Sequence, residues 1–142
     1  MTPDLSVDRA RQPYAWLTTV GRRSGEPRTV ELWFGLEGET VHFLSGGGDS
    51  AHWVRNALAH REVRLRLGGT TYLGRTRVPE PDSDEEQRAR QTLAAKYQGW
   101  QEGRPLSSWA ARSFCLAVDL VAVDLVAVDL VAVDVGQTPS AT

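Results

Sequence analysis

The chain has 142 residues, the length of one domain, and its 41% apolar and 24% charged side chains are the balance of an ordinary globular protein. Sixteen basic against eighteen acidic side chains leave a formal charge of −2, which speaks against a general nucleic-acid binder. The single Cys115 excludes an internal disulfide and a Cys-rich metal site.

Charge is unevenly spread. Residues 1–78 carry eleven arginines against eight acids, and residues 79–142 carry five basic groups against ten acids. An anion site is therefore expected in the first half. No basic stretch followed by an apolar run opens the chain, so a cytoplasmic location is expected. Phe114–Val135 is long enough to suggest a membrane span. Its Asp119, Asp124, Asp129 and Asp134 argue against one, at roughly 2.5–3.5 kcal/mol each near a bilayer centre.

In chain order, residues 1–12 read as polar and loose, and Tyr14–Val20 as a strand. Gly21–Gly25, with Pro27 beyond, makes a hairpin loop. From Arg28 to Leu36 the residues alternate, with Val30, Leu32, Phe34 and Leu36 on one face and Thr29, Glu31 and Trp33 on the other. Thr40–Ser45 follows as a third strand. Gly46-Gly47-Gly48 ends it, and Asp49 or Ser50 is expected to cap a helix through about His60. On that helix Asn56 lies one turn from both His52 and Trp53. Glu62–Leu67 and Thr70–Val78 read as strands turned at Gly68-Gly69. Ser83-Asp84-Glu85-Glu86 is a capping box opening a helix to about Gln98. Trp100–Ala111 is irregular or helical, and a last strand begins near Ser113. This order predicts a mainly β (α+β) fold, a small antiparallel barrel with inserted helices.

Four near-copies of one pentapeptide end the chain: Leu116–Leu120, Val121–Leu125, Val126–Leu130 and Val131–Val135. An odd period sends successive Asp residues to opposite faces of a strand, so neither face should stay buried. The first copy is expected to complete the barrel, and later copies to be surplus. The expected organisation is an N-terminal segment 1–12, a barrel domain 13–120 and a repetitive extension 121–142.

Three stretches carry candidate chemistry. Gly21-Arg22-Arg23-Ser24-Gly25 with Arg28 forms either an anion cradle or a solvated hairpin. Ser45-Gly46-Gly47-Gly48 before a helix either holds a phosphate on backbone N–H groups or is a plain turn. His52-Trp53-Val54-Arg55-Asn56 either lines a pocket or packs. Dinucleotide, phosphate-loop and nucleophile-elbow motifs are absent from the sequence, and His42, His52 and His60 show no zinc spacing.

Taken together, Leu17–Arg28 with its Gly-Arg-Arg-Ser-Gly core, Leu32-Trp33-Phe34, Ser45–Gly48, Trp53-x-x-Asn56 and Lys96-Tyr97 resemble the deazaflavin-dependent nitroreductase family. The resemblance covers about residues 14–120. It implies a split β-barrel of the pyridoxamine-phosphate-oxidase-like type, and hydride transfer from the reduced deazaflavin F420 to a small organic acceptor such as a quinone, nitro compound or enone. By the same resemblance Arg22, Arg23, Ser24 and Arg28 would hold the cofactor's phosphate and acidic tail. Thr29, Val30, Glu31, Leu32, Trp33, His42, Phe43, Leu44 and Ser45 would line it, and Ala51, His52, Trp53, Val54 and Arg55 would flank its ring. Tyr97 and Trp100 would form the acceptor wall, with Tyr97 either a proton donor or a packing residue.

The chain departs from the nitroreductase pattern at Glu31 and His52, where those enzymes carry Pro, so the resemblance does not name the acceptor. The alternatives are an FMN-dependent oxidoreductase or a binding protein for haem, with His42 or His52 as axial ligand. A homodimer is left open, and no nucleic-acid partner is expected.

Overall fold

The computed structural model describes residues 5–125. Its elements are α1 (Leu5–Arg11), β1 (Ala15–Val20), β2 (Pro27–Leu32), β3 (Gly35–Glu37), β4 (Thr40–Ser45), α2 (His52–Ala59), β5 (Glu62–Leu67), β6 (Thr70–Arg77), α3 (Asp84–Gln98), α4 (Ser108–Arg112) and β7 (Phe114–Val123). The seven strands make one sheet in the order β2-β1-β5-β6-β7-β4-β3. Every neighbouring pair is antiparallel.

The sheet has to curl. Its two edge strands, β2 and β3, are joined only by Trp33 and Phe34. Three peptide steps reach at most about 11 Å, whereas seven flat strands would set the edges about 29 Å apart. Leu17, Leu32, Phe34, Val41, Phe43, Leu65, Leu116 and Val118 fill the interior this creates, and α2 adds Trp53, Val54 and Ala57 to the same core.

The expected single strand Arg28–Leu36 is thus two strands at opposite edges of the sheet. Its alternation survives the break, because Phe34 stays inside while Trp33 faces α3. The broken backbone is satisfied by α3: Phe34 N–H donates to the Tyr97 hydroxyl (3.1 Å), and Lys96 Nζ donates to the Phe34 carbonyl (3.3 Å).

Outside the barrel, α3 covers β4. Leu44, Ala89, Leu93 and Cys115 form a second buried cluster with Trp33, Tyr97 and Trp109 against it. Half of the expected capping box forms: the Ser83 hydroxyl accepts from Glu86 N–H at 3.2 Å, but Glu86 Oε1 accepts from Asp82 N–H (3.2 Å) and not from Ser83, and Gly99, at φ 69°, closes the helix.

Two expectations about local structure change. The N-terminal residues expected to be loose include helix α1, whose Arg9 makes a two-pronged ion pair with Glu39 of the β3–β4 turn at 3.0 and 2.9 Å. The helix expected from residue 49 begins at His52. Gly48–Ser50 is instead a separate 3₁₀ turn, and neither Asp49 nor Ser50 caps α2.

The odd period of the repeat is absorbed by a bulge. Gly74 faces Leu120 and Leu73 faces Ala122, so Val121 is an extra residue on β7. The extra residue restores even spacing, and Asp119 and Asp124 return to the same outer face. Asp119 accepts from Arg77 Nε (2.7 Å) and Thr40 (2.7 Å), and Asp124 from Arg64 Nε (2.7 Å). The second copy is therefore paired where it was expected to be surplus. The copies at 126–135 lie outside the described residues. Gly74 is required here, because a Cβ would come within 2.5 Å of Val118 Cγ1.

Candidate functional site

The β1–β2 loop and the start of α2 face each other across an open cleft of about 300 Å³, lined by Gly21, Arg22, Arg23, Ser24, Arg28, Val30, His52, Trp53 and Asn56. The loop is tightly closed. Gly21 N–H donates to Glu26 O (2.7 Å), Gly25 N–H to Gly21 O (2.8 Å), and Glu26 N–H to the Ser24 hydroxyl (3.1 Å). Glycine at position 21 leaves the Ser24 hydroxyl its place, since a Cβ would sit 2.6 Å from Ser24 Oγ and 3.1 Å from Glu26 O. Among the described residues no protein acceptor takes the N–H of Arg23 or Ser24.

Asn56 ties this loop to α2. Its Oδ1, on a side chain 5% exposed, accepts from Arg22 N–H (3.2 Å) and from Arg22 Nη1 (2.8 Å). Arg22 Nη2 also donates to His52 Nδ1 (3.1 Å). Desolvation first, then neighbouring Arg55 and Arg23, lower the Arg22 pKa. Arg22 stays protonated all the same, since a guanidinium starts above 12. Trp53 anchors α2 edge-to-face on Phe43, with ring centroids 5.9 Å apart. No side chain caps the first turn of α2, so its positive end stands open beside the cleft. Arginines and a bare helix end, with no carboxylate in the lining, select for an oxyanion.

The structure gathers Arg22, Arg23, Ser24, Arg28, Val30, His52 and Trp53 of the expected site residues at this cleft. Others lie elsewhere. Thr29 shares a 2.7 Å hydroxyl contact with Thr18, Glu31 is half-buried on the face of β2 opposite Val30, and Leu32 and Phe43 are in the barrel core. Leu44 is under α3, Val54 is in the core, Ala51 packs beside it, and Arg55 is exposed. The Ser45 hydroxyl donates to Gly48 O (2.8 Å), which fixes the glycine turn.

His42 is 2% exposed and donates through Nε2 to Glu85 Oε2 (2.8 Å). Glu85 also takes both arms of Arg77, at 2.8 and 2.7 Å. Hydrogen bonds from Arg77, and then from His42, hold the Glu85 carboxyl down at about 2 against the cost of burial. Of the two histidines considered as haem ligands, only His52 is at the cleft.

Tyr97 stacks on Trp33, with centroids 4.4 Å apart, and is not in the cleft lining. Its hydroxyl accepts from Phe34 N–H and donates to Pro13 O (2.9 Å), and burial pushes its pKa up to about 12. Both hydrogen-bonding roles are spent on backbone, which favours packing over proton donation. Trp100 donates through Nε1 to Arg104 O (2.8 Å).

Sequence reasoning did not foresee that Asn56 positions Arg22. The available signal was a polar residue on the same helical face as Trp53, which must find a partner when buried. It also missed the Thr19 hydroxyl, directly across from Arg28 in the β1–β2 ladder, 2% exposed and without a protein partner among the described residues. Among the described residues there is no group of three or more potential metal ligands, and no helix is long and apolar enough to cross a membrane.

The curled antiparallel sheet with helices on its outside is the split β-barrel of FMN-binding and pyridoxamine-oxidase-like proteins. A FAD-binding protein from Mesorhizobium loti superposes with a TM-score of 0.60 at 15% identity, over 84% of this chain and 87% of that one. An F420H2-dependent reductase superposes at 0.56 with 23% identity, over 79% and 94%, and an F420 reductase at 0.55 with 21%, over 87% and 98%. The chain belongs to the F420H2-dependent quinone reductase family, whose sequence model matches residues 6–118. It is an oxidoreductase of the F420-dependent reductase kind. No curated protein matches it.

Proposed function

We propose that the protein binds reduced F420 with the phosphate and acidic tail in the Arg22–Arg28 cleft, and reduces a small quinone-class acceptor. The observation that carries this reading is the cleft itself: Arg22, Arg23 and Arg28 converge without a carboxylate in the lining, and Arg22 is held at two points. About 300 Å³ is the small end of ligand sites, suited to a phosphate and its surroundings rather than a whole ring system with its tail.

The residues fit an anionic group. The N–H groups of Arg23 and Ser24 are free to donate. When bound, the deazaflavin supplies the hydride chemistry, and the protein supplies position and exclusion of water. Arg22 and Arg28 would bind phosphate oxygens, Arg23 on the exposed rim would meet the acidic tail, and Ser24 would add a donor. Trp53 and Val30 give the cleft its apolar wall.

The test is a fluorescence titration with deazaflavin, FMN and haem. A charged hydrogen bond contributes roughly 1.5–3 kcal/mol when desolvated and less at an exposed rim. Arg23→Ala and Arg28→Ala should therefore each weaken deazaflavin binding about tenfold, 1.4 kcal/mol per decade, with affinity falling as salt rises. Both variants binding like the parent at low salt would reduce the loop to a solvated hairpin. Tighter binding of FMN or haem than of deazaflavin would replace the cofactor in this reading.

A further inference from the structure

Arg22 is held by two different kinds of partner. Asn56 Oδ1 is a permanent acceptor, and it takes both the backbone N–H and one guanidinium arm. His52 Nδ1 is a conditional one. A guanidinium can only donate, so the 3.1 Å contact from Arg22 Nη2 requires a lone pair on Nδ1 and places the imidazole proton on Nε2. His52 is therefore neutral in the structure described. The charged side chains that line the cleft with it are all cationic, Arg22 and Arg23 from the loop and Arg28 from β2, and Arg55 is exposed on its own helix. The nearby acids in sequence, Glu26 and Asp49, are not in the cleft lining.

We propose that Asn56 and His52 are positioning residues of the oxyanion site, and that His52 takes up a proton when an oxyanion binds. An oxyanion among Arg22, Arg23 and Arg28 brings negative charge beside the imidazole, which favours its protonated form. A proton on Nδ1 ends the Arg22–His52 contact. Asn56 keeps Arg22 in place, and both the freed Nη2 and the imidazolium can then donate to the anion. Affinity therefore rises as pH falls through the range in which the imidazole takes up that proton. His52 is exposed, so the expected gain in affinity is modest, about three- to tenfold. This inference rests on the reading of the cleft as an oxyanion site and extends it to proton linkage.

Sulfate is the probe, because it does not titrate between pH 5 and 8. Histidine ring signals of the full chain are followed by NMR through that range, with and without sulfate, at ionic strength matched with sodium chloride. His52→Gln and His60→Gln assign them. The expected result is an upward shift of the His52 midpoint with sulfate and none for His60. Sulfate affinity should fall about tenfold in Asn56→Leu and recover in part in Asn56→Gln, which keeps a neutral amide acceptor for Arg22. It should also lose its pH dependence in His52→Gln.

An unmoved His52 midpoint at saturating sulfate, or no sulfate binding at all, overturns the inference. So does an Asn56→Leu chain that binds sulfate like the parent. If sulfate moves His52 while deazaflavin does not bind, the cofactor reading fails and this one stands. If deazaflavin binds and sulfate leaves His52 unmoved, only this one fails.

Discussion

Replacing Glu85 with Gln tests whether the ionic cluster outside the barrel holds α3 to the sheet. Glu85 sits on α3 and accepts from Arg77 of β6 at 2.8 and 2.7 Å and from His42 of β4 at 2.8 Å. Its carboxyl titrates at about 2 rather than 4.5. That difference is about 3 kcal/mol at 1.36 kcal/mol per unit. The Glu85 side chain is 23% exposed but Arg77 is 39% exposed, and solvent screening brings the expected loss to about 2 kcal/mol. In a domain of this length that is a fall in Tm of about 6–10 °C at pH 7.

The sign follows from the depressed carboxyl. The folded state binds its proton only near 2 and the unfolded chain near 4.5, so the contribution is complete above 4.5 and drains away as pH falls toward 2. Urea unfolding of parent and Glu85→Gln, followed by circular dichroism from pH 7 to pH 2.5, measures the gap directly. A gap of about 2 kcal/mol that closes in acid is expected. A gap below about 0.5 kcal/mol at pH 7, or one as wide at pH 3 as at pH 7, would refute the assignment.

Lys96 titrates near 8 because burial disfavours its charge, so the folded protein gains stability relative to a Lys96→Met variant as pH rises from 8 to 10.5. Thermal melts across that range should show the gap moving in the parent's favour, and movement the other way would reverse the reasoning. Gly21→Ala should displace the Ser24 hydroxyl, 2.6 Å from the new methyl, and weaken anion binding several-fold in the same titration while costing less than about 1 kcal/mol of stability. Removing residues 126–142 should leave deazaflavin affinity unchanged and reduce self-association by light scattering. Failure of the shortened chain to fold would place the later repeats in the core or in a subunit seam.

Much of the fold was written locally. β5 and α3 were legible because the alternation of one and the N-terminal Ser83 of the other are decided by residues adjacent in sequence. The β2–β3 break was hidden, because Val30, Leu32, Phe34 and Leu36 keep their period across it, and only barrel closure requires the break. The start of α2 shifted because the Ser45 hydroxyl, from the preceding strand, fixes Gly48 and draws Asp49 and Ser50 into a separate turn. At the site, the basic loop and the His52–Asn56 helix were each visible, but their meeting was not. That meeting depends on one amide oxygen 34 positions along the chain from Arg22. His42 looked available until tertiary structure supplied Glu85, 43 positions away.

The bulge at Val121 makes β7 tolerant of a particular kind of genetic accident. Tandem repeats gain and lose whole units when a copying polymerase slips, and here the unit is five codons. Deleting Val121–Leu125 would bring Val126 to the bulge, Ala127 opposite Leu73, Val128 opposite Tyr72 and Asp129 to Arg64, the same residue types in the same places. Inserting another copy is equally silent for the barrel. Loss of Val121 alone would remove the bulge and leave the second Asp opposite Thr71, still on the outer face, so the pairing survives that change as well. Selection on the barrel would thus leave repeat number free.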